Sequence, residues 1–192
     1  MKSFVFSLAS VAIILTACGD SNNNTQGANT MADSSATTTP TTNAAANENA
    51  LVDEAVTAYL QVKNALTADD SREAAAAGKQ LQEVIVKMDN ASFATGQKKV
   101  YDEVKEELKE HAEHISTNAD KIAHQREHFD MLSNDMYDLV KSVKPSQVLY
   151  KDHCPMFNDN KGAIWLSEVK DIKNPYYGKK MLTCGEQQEE IK

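Results

Sequence analysis

From Leu51 onward the apolar residues return at alternating steps of three and four. Val52, Ala55, Tyr59, Val62 and Leu66 form one stripe, and Ala74, Ala77, Leu81, Val84 and Met88 a second. Tyr101, Val104, Leu108, His111 and Ile115 form a third, and Ile122, Gln125, Phe129, Leu132, Met136, Leu139 and Val143 a fourth. This spacing gathers each set on one side of a helix, as a narrow seam that packs on its neighbours at a shallow angle. The breaks carry matching chemistry. Asp70 with Glu73 reads as a capping-box variant, Asn90 to Gly96 as a loop, and Ser116-Thr-Asn118 as a cap for the fourth helix. Lys144-Pro145 ends that helix, because proline lacks an N–H and restricts its predecessor. Four helices on short connections predict a mainly α, up-down-up-down four-helix bundle. A turn near Asn118 sets Leu108 beside His128 and His111 beside Gln125.

The two ends depart from this pattern. Lys2 followed by about twelve apolar residues, Phe4 to Leu15, suits the core of a signal peptide and is too short to span a bilayer of roughly 30 Å. Leu15-Thr16-Ala17-Cys18 looks like a bacterial lipobox, which predicts a signal peptide over 1–17 and lipidation of Cys18. Residues 19–48 contain no Val, Ile, Leu or aromatic side chain. Such a stretch buries too little apolar surface to offset its ordering entropy, so residues 18–48 are expected to form a disordered tether. The folded domain then covers 49–192. Its tail, 145–192, is expected to pack irregularly on the bundle, with short strands near 148–152 and 163–167, a turn or brief helix fitting 163–172 as well.

Composition narrows the function. Twenty-eight acidic and 20 basic residues leave a charge of −8, which argues against nucleic acid as a partner. The expected partners are instead the membrane, through the lipid on Cys18, and a protein of the envelope. Only 7 Gly and 4 Pro reinforce the helical reading. There is no Gly-rich phosphate loop, nucleophile elbow or His-Glu-x-x-His, and a non-enzymatic role is expected. The acidic run Glu186 to Glu190 reads as a solvated face with pairing one turn apart.

The tail concentrates the remaining chemistry. His153-Cys154-Pro155-Met156 sets an imidazole, a thiol and a thioether within four residues, and Met181 and Cys184 add a second sulfur pair. Thiolate and thioether donors favour Cu(I) and Ag(I) over oxygen-seeking cations. If the tail folds back, Cys154, Met156 and Cys184 would bind the ion, with His153, Met181 and His128 as helpers. The competing reading is a Cys154–Cys184 disulfide, common in exported proteins. A second candidate is the group His111, His114, His124 and His128 around the turn between the third and fourth helices. Its two readings are a divalent-metal half-site and ordinary solvated histidines, with His114 and His124 lying off the seam.

Two segments carry a family resemblance. Gln125 to Ser133 with Met136-Tyr137, and Cys154-Pro-Met with Lys161 to Leu166, Asn174-Pro-Tyr-Tyr-Gly178 and Met181-Leu-Thr-Cys-Gly185, resemble signatures of the DUF3347 family over about residues 50–188. The family is known as lipoproteins of Bacteroidetes-type bacteria and as a C-terminal module of periplasmic adaptors in copper and silver efflux pumps. The resemblance implies a helical module on the envelope side, while Gly19-Asp20 after the cysteine, without an acidic run, favours the periplasmic face, with the outer membrane expected over the inner. The resemblance also implies a link to metal handling, with a metal-efflux adaptor as partner.

Overall fold

The computed structural model describes residues 41–192, with side chains from residue 49. The expected signal peptide, the lipidation site Cys18 and the tether as far as residue 40 lie outside the described residues. Four helices follow: α1 (Thr41–Thr67), α2 (Ser71–Met88), α3 (Thr95–Thr117) and α4 (Ile122–Val143). Sequential helices pack on one another and α4 returns to α1, which closes the bundle. The four stripes supply its core, from Val52 and Tyr59 through Leu81 and Leu108 to Phe129 and Leu139.

Helix α1 starts at Thr41, so residues 41–48 are helical rather than part of the tether. The alanines at 44–46 favour helix and prolong a segment that packing already holds. Its buried face is also wider than a narrow seam, because α1 meets the C-terminal sheet as well as α2 and α4. Lys63 is buried there and reaches Glu168 at 2.7 Å.

Asp70 caps α2 as expected, accepting from the backbone N–H groups of Arg72 and Glu73. Residues 116–118 do the opposite of what their composition suggests. Ser116 and Thr117 donate to the Glu113 carbonyl and Asn118 to that of His114, so they close the end of α3. The fourth helix begins only after Lys121, which makes no side-chain cap. The α3–α4 turn therefore sits later than expected, and pairing between the helices shifts by about one turn. His111 faces His128, while Gln125 donates to the Ile115 carbonyl.

The strands expected near 148–152 and 163–167 are present, and with a third strand they make the tail a small antiparallel sheet. Strands β1 (Leu149–Cys154), β2 (Ala163–Ser167) and β3 (Glu186–Ile191) lie in the order β2-β1-β3, with β2 against α4 and α1. Lys144, with φ 62°, turns the chain from α4 toward β1. The acidic run expected as a solvated helical face is β3, an edge strand whose charges discourage further pairing. A register shift leaves Gln188 between the pairs Lys151–Glu189 and Asp152–Gln187. Glu189 is held by Tyr137 and Lys141 of α4, and Ile191 enters the core.

Candidate metal sites

Strand alternation decides which tail side chains meet. Lys151 and His153 turn toward α4: the Lys151 ammonium lies 4.3 Å from the Tyr137 ring centre, and His153 shares a cleft with Asp130 and Asn134. Asp152 and Cys154 turn to the opposite face, beside Trp165 and Ala163 of β2. The chain between β2 and β3 covers that face, where Gly185 approaches the Trp165 ring so closely that a Cβ would lie 2.8 Å from it.

This covering segment carries Cys184 back to Cys154. The Cys184 thiol donates to the Met156 thioether at 3.7 Å. Burial, together with the adjacent Cys154 thiol and a hydrogen bond to it, raises the Cys184 pKa. Both cysteines are free thiols. Cys154 and Met156 thus form one sulfur cluster at the end of β1 with Cys184, which lies thirty residues beyond Cys154 in sequence. It is graded in access: Cys154 is 0% exposed, Cys184 half-buried and Met156 42% exposed. Two thiols and a thioether suit a soft monovalent ion, and the exposed thioether leaves a way in from solvent.

Backbone contacts hold the donors in place. Asn174 is buried; its amide donates to the Cys184 carbonyl at 2.7 Å and accepts from the N–H groups of Tyr176 and Tyr177. Tyr177 donates to the Met156 carbonyl at 3.0 Å. Beyond Met156, Asn158, Asp159 and Asn160 have left-handed φ values of 52°, 54° and 65°, a conformation that Asn and Asp tolerate. Arg126 ties the covering segment to the bundle through the Pro175 and Leu66 carbonyls and Asp69. Sequence reasoning assigned no role to Asn174, although Asn-Pro favours such a turn.

The expected helpers separate. His153 faces away from the sulfurs, its ring against Gly162, where a Cβ would lie 2.3 Å from Nε2. The Cys184 N–H donates to the Met181 carbonyl, so Met181 shares the turn that presents the cysteine. His128 belongs to another group. Asp152 shares the face of Cys154, and its carboxyl oxygens have no hydrogen-bond partner. Burial pushes its pKa up to about 7, against the pull of Lys63.

That other group lies between α3 and α4. His111 and His128 approach through their Nδ1 atoms at 3.2 Å. The rings of His114 and His128 stack with centres 4.1 Å apart, and His124 meets His128 edge-on at 4.5 Å. His114 and His124, expected off the seam, are half-buried members of the group. One ligand atom each from His114, His124 and His128 lie within 4.8 Å of one another. Burial and the neighbouring imidazoles hold the His128 pKa down to about 4, and burial lowers that of His111.

No curated protein and no solved structure matches the chain. A family model described as a protein of unknown function, DUF3347, matches residues 55–148. The match covers the C-terminal half of α1 and the other three helices and stops just before β1, so the sulfur cluster lies beyond it. Over residues 55–148, about half of its length, this chain is similar to the DUF3347 family.

Proposed function

We propose that the protein is a lipid-anchored module of the cell envelope that binds a soft monovalent ion, Cu(I) or Ag(I), for buffering or hand-over. Cys154, Met156 and Cys184 are its ligands, and no catalysis is involved. The observation carrying this reading is the meeting of Cys184 with Met156 at 3.7 Å beside Cys154. Soft donors prefer such ions, and a ligand reachable from solvent suits exchange with a partner such as an efflux adaptor. The lipobox-like Leu15-Thr-Ala-Cys18 supports the anchor, and the periplasmic setting follows from it. Among the described residues no helix is long and apolar enough to cross a membrane.

The same closeness of thiols favours one other reading, a Cys154–Cys184 disulfide in a purely structural or docking module. Thiol titration of the full chain, followed by Cu(I) competition with a chromogenic chelator, separates the two. Reactive thiols and one Cu(I) per chain, lost in Cys154→Ser/Cys184→Ser, support metal binding. No thiols and no Cu(I) uptake after mild reduction would leave the docking module.

A further inference from the structure

The geometry points to a second, chemically different metal site: His114, His124 and His128, backed by His111, hold one borderline divalent ion of the Zn²⁺ or Cu²⁺ class. This inference does not depend on the sulfur cluster. Four of the five histidines of the chain meet here, two from α3 and two from α4. With Zn–N bonds of about 2.0–2.1 Å, two nitrogens on a tetrahedral ion stand about 3.3 Å apart. His111 and His128 already place their Nδ1 atoms 3.2 Å apart, and one ligand nitrogen each from His114, His124 and His128 lie within 4.8 Å of one another. Small rotations of the half-buried His114 and His124 close the remainder. A nitrogen-only donor set selects the borderline divalent ions, whereas the sulfur cluster selects soft monovalent ones.

The surroundings fit a cation. A carboxylate stands at an outer nitrogen of three of these rings: Glu107 at 3.7 Å from His111 Nε2, Glu110 at 4.0 Å from His114 Nε2 and Glu127 at 3.3 Å from His124 Nδ1. Outer carboxylates of this kind orient ligating imidazoles and raise their basicity. His128, the buried member, stands between the other rings, stacked on His114 and edge-on to His124. Packing alone would bury these rings, but it gives no reason for acidic partners on their outer nitrogens.

The test is Zn²⁺ titration of the full chain against a chromogenic chelator, in wild type, in Cys154→Ser/Cys184→Ser and in His114→Ala/His124→Ala. One equivalent is expected to survive loss of the thiols. It should weaken on the order of 100-fold or more in the histidine variant, whose half-buried positions leave the helical circular dichroism unchanged. Should the thiol variant unfold, ring-nitrogen NMR of the reduced wild-type chain gives the answer. Zn²⁺ should shift His114, His124 and His128 and leave His153 in place. Uptake unaffected by the histidine substitutions, or rings of the cluster unmoved by Zn²⁺, would overturn the inference.

Discussion

Asn174 donates its side-chain amide to the Cys184 carbonyl at 2.7 Å, so a fully buried residue sets where the second thiol stands. Its carbonyl oxygen accepts from Tyr176 and Tyr177, which fixes both sides of the turn. Replacing it with alanine orphans buried backbone groups and should cost about 2–3 kcal/mol in denaturant unfolding. Loosening Cys184 should also weaken Cu(I) binding about tenfold, because the donors must then be ordered on binding. An Asn174→Ala chain that loses stability but keeps full affinity would limit Asn174 to the fold.

Asp135 should make the bundle less stable above about pH 6. Burial, with Glu107 of α3 and Asp138 nearby, raises its carboxyl to about 6. Because the folded-state pKa exceeds the unfolded value, the folded chain binds the extra proton between about pH 6 and 4. The penalty is therefore complete above pH 6 and disappears as pH falls toward 4. Asp135→Asn should stabilise at pH 7.5 by about 1 kcal/mol, after allowance for solvent screening, and hardly at all at pH 4. Thermal unfolding at both values checks the sign.

Gly78 lets α2 and α3 approach. A Cβ there would lie 2.9 Å from Ile115 Cγ2 and 3.1 Å from the Ala112 carbonyl oxygen. Ile115 is β-branched and fully buried, so it cannot swing aside. Gly78→Ala gains about 1 kcal/mol of helix propensity but meets an overpacking cost of about 1–3 kcal/mol. The expected result is a net loss of about 1 kcal/mol, read from the denaturation midpoint.

The buried Lys63 depends on Glu168. Burial lowers its pKa, and the Glu168 carboxylate at 2.7 Å opposes that shift. Glu168→Gln leaves a buried cation without its partner and should cost about 2 kcal/mol, the partial exposure of Glu168 tempering the effect. Lys63→Met removes the cation itself and should cost less. Urea unfolding of the two variants gives the order.

The helices were legible because each stripe repeats over several turns, and tertiary packing selects that repeat. Short polar signals were less so: Ser116-Thr-Asn118 serves either helix end, and its choice of α3 moved the α3–α4 register by a turn. That shift carried His111 to His128 instead of Gln125 and brought His114 and His124, expected off the seam, into the imidazole group. Strand β3 was hidden because an acidic edge strand lacks the apolar alternation that marks a half-buried one. The meeting of Cys154, Met156 and Cys184 could be framed from donor chemistry. That His153 points away follows from the two-residue period of β1, which runs two residues past the strand expected near 148–152. Lys63 and Asn174 gave no sign, since burial of a polar side chain depends on partners more than ten residues distant or on a turn not yet placed.

X-ray absorption at the copper edge tests the sulfur cluster most directly. The sample is the full chain with Cys18→Ser, reduced and loaded with one Cu(I), so that Cys154 and Cys184 are the only thiols. Three sulfur neighbours, falling to two in a Met156→Leu chain, are the expected result. A first shell of nitrogen or oxygen, or one unchanged by Met156→Leu, would contradict copper binding by Cys154, Met156 and Cys184.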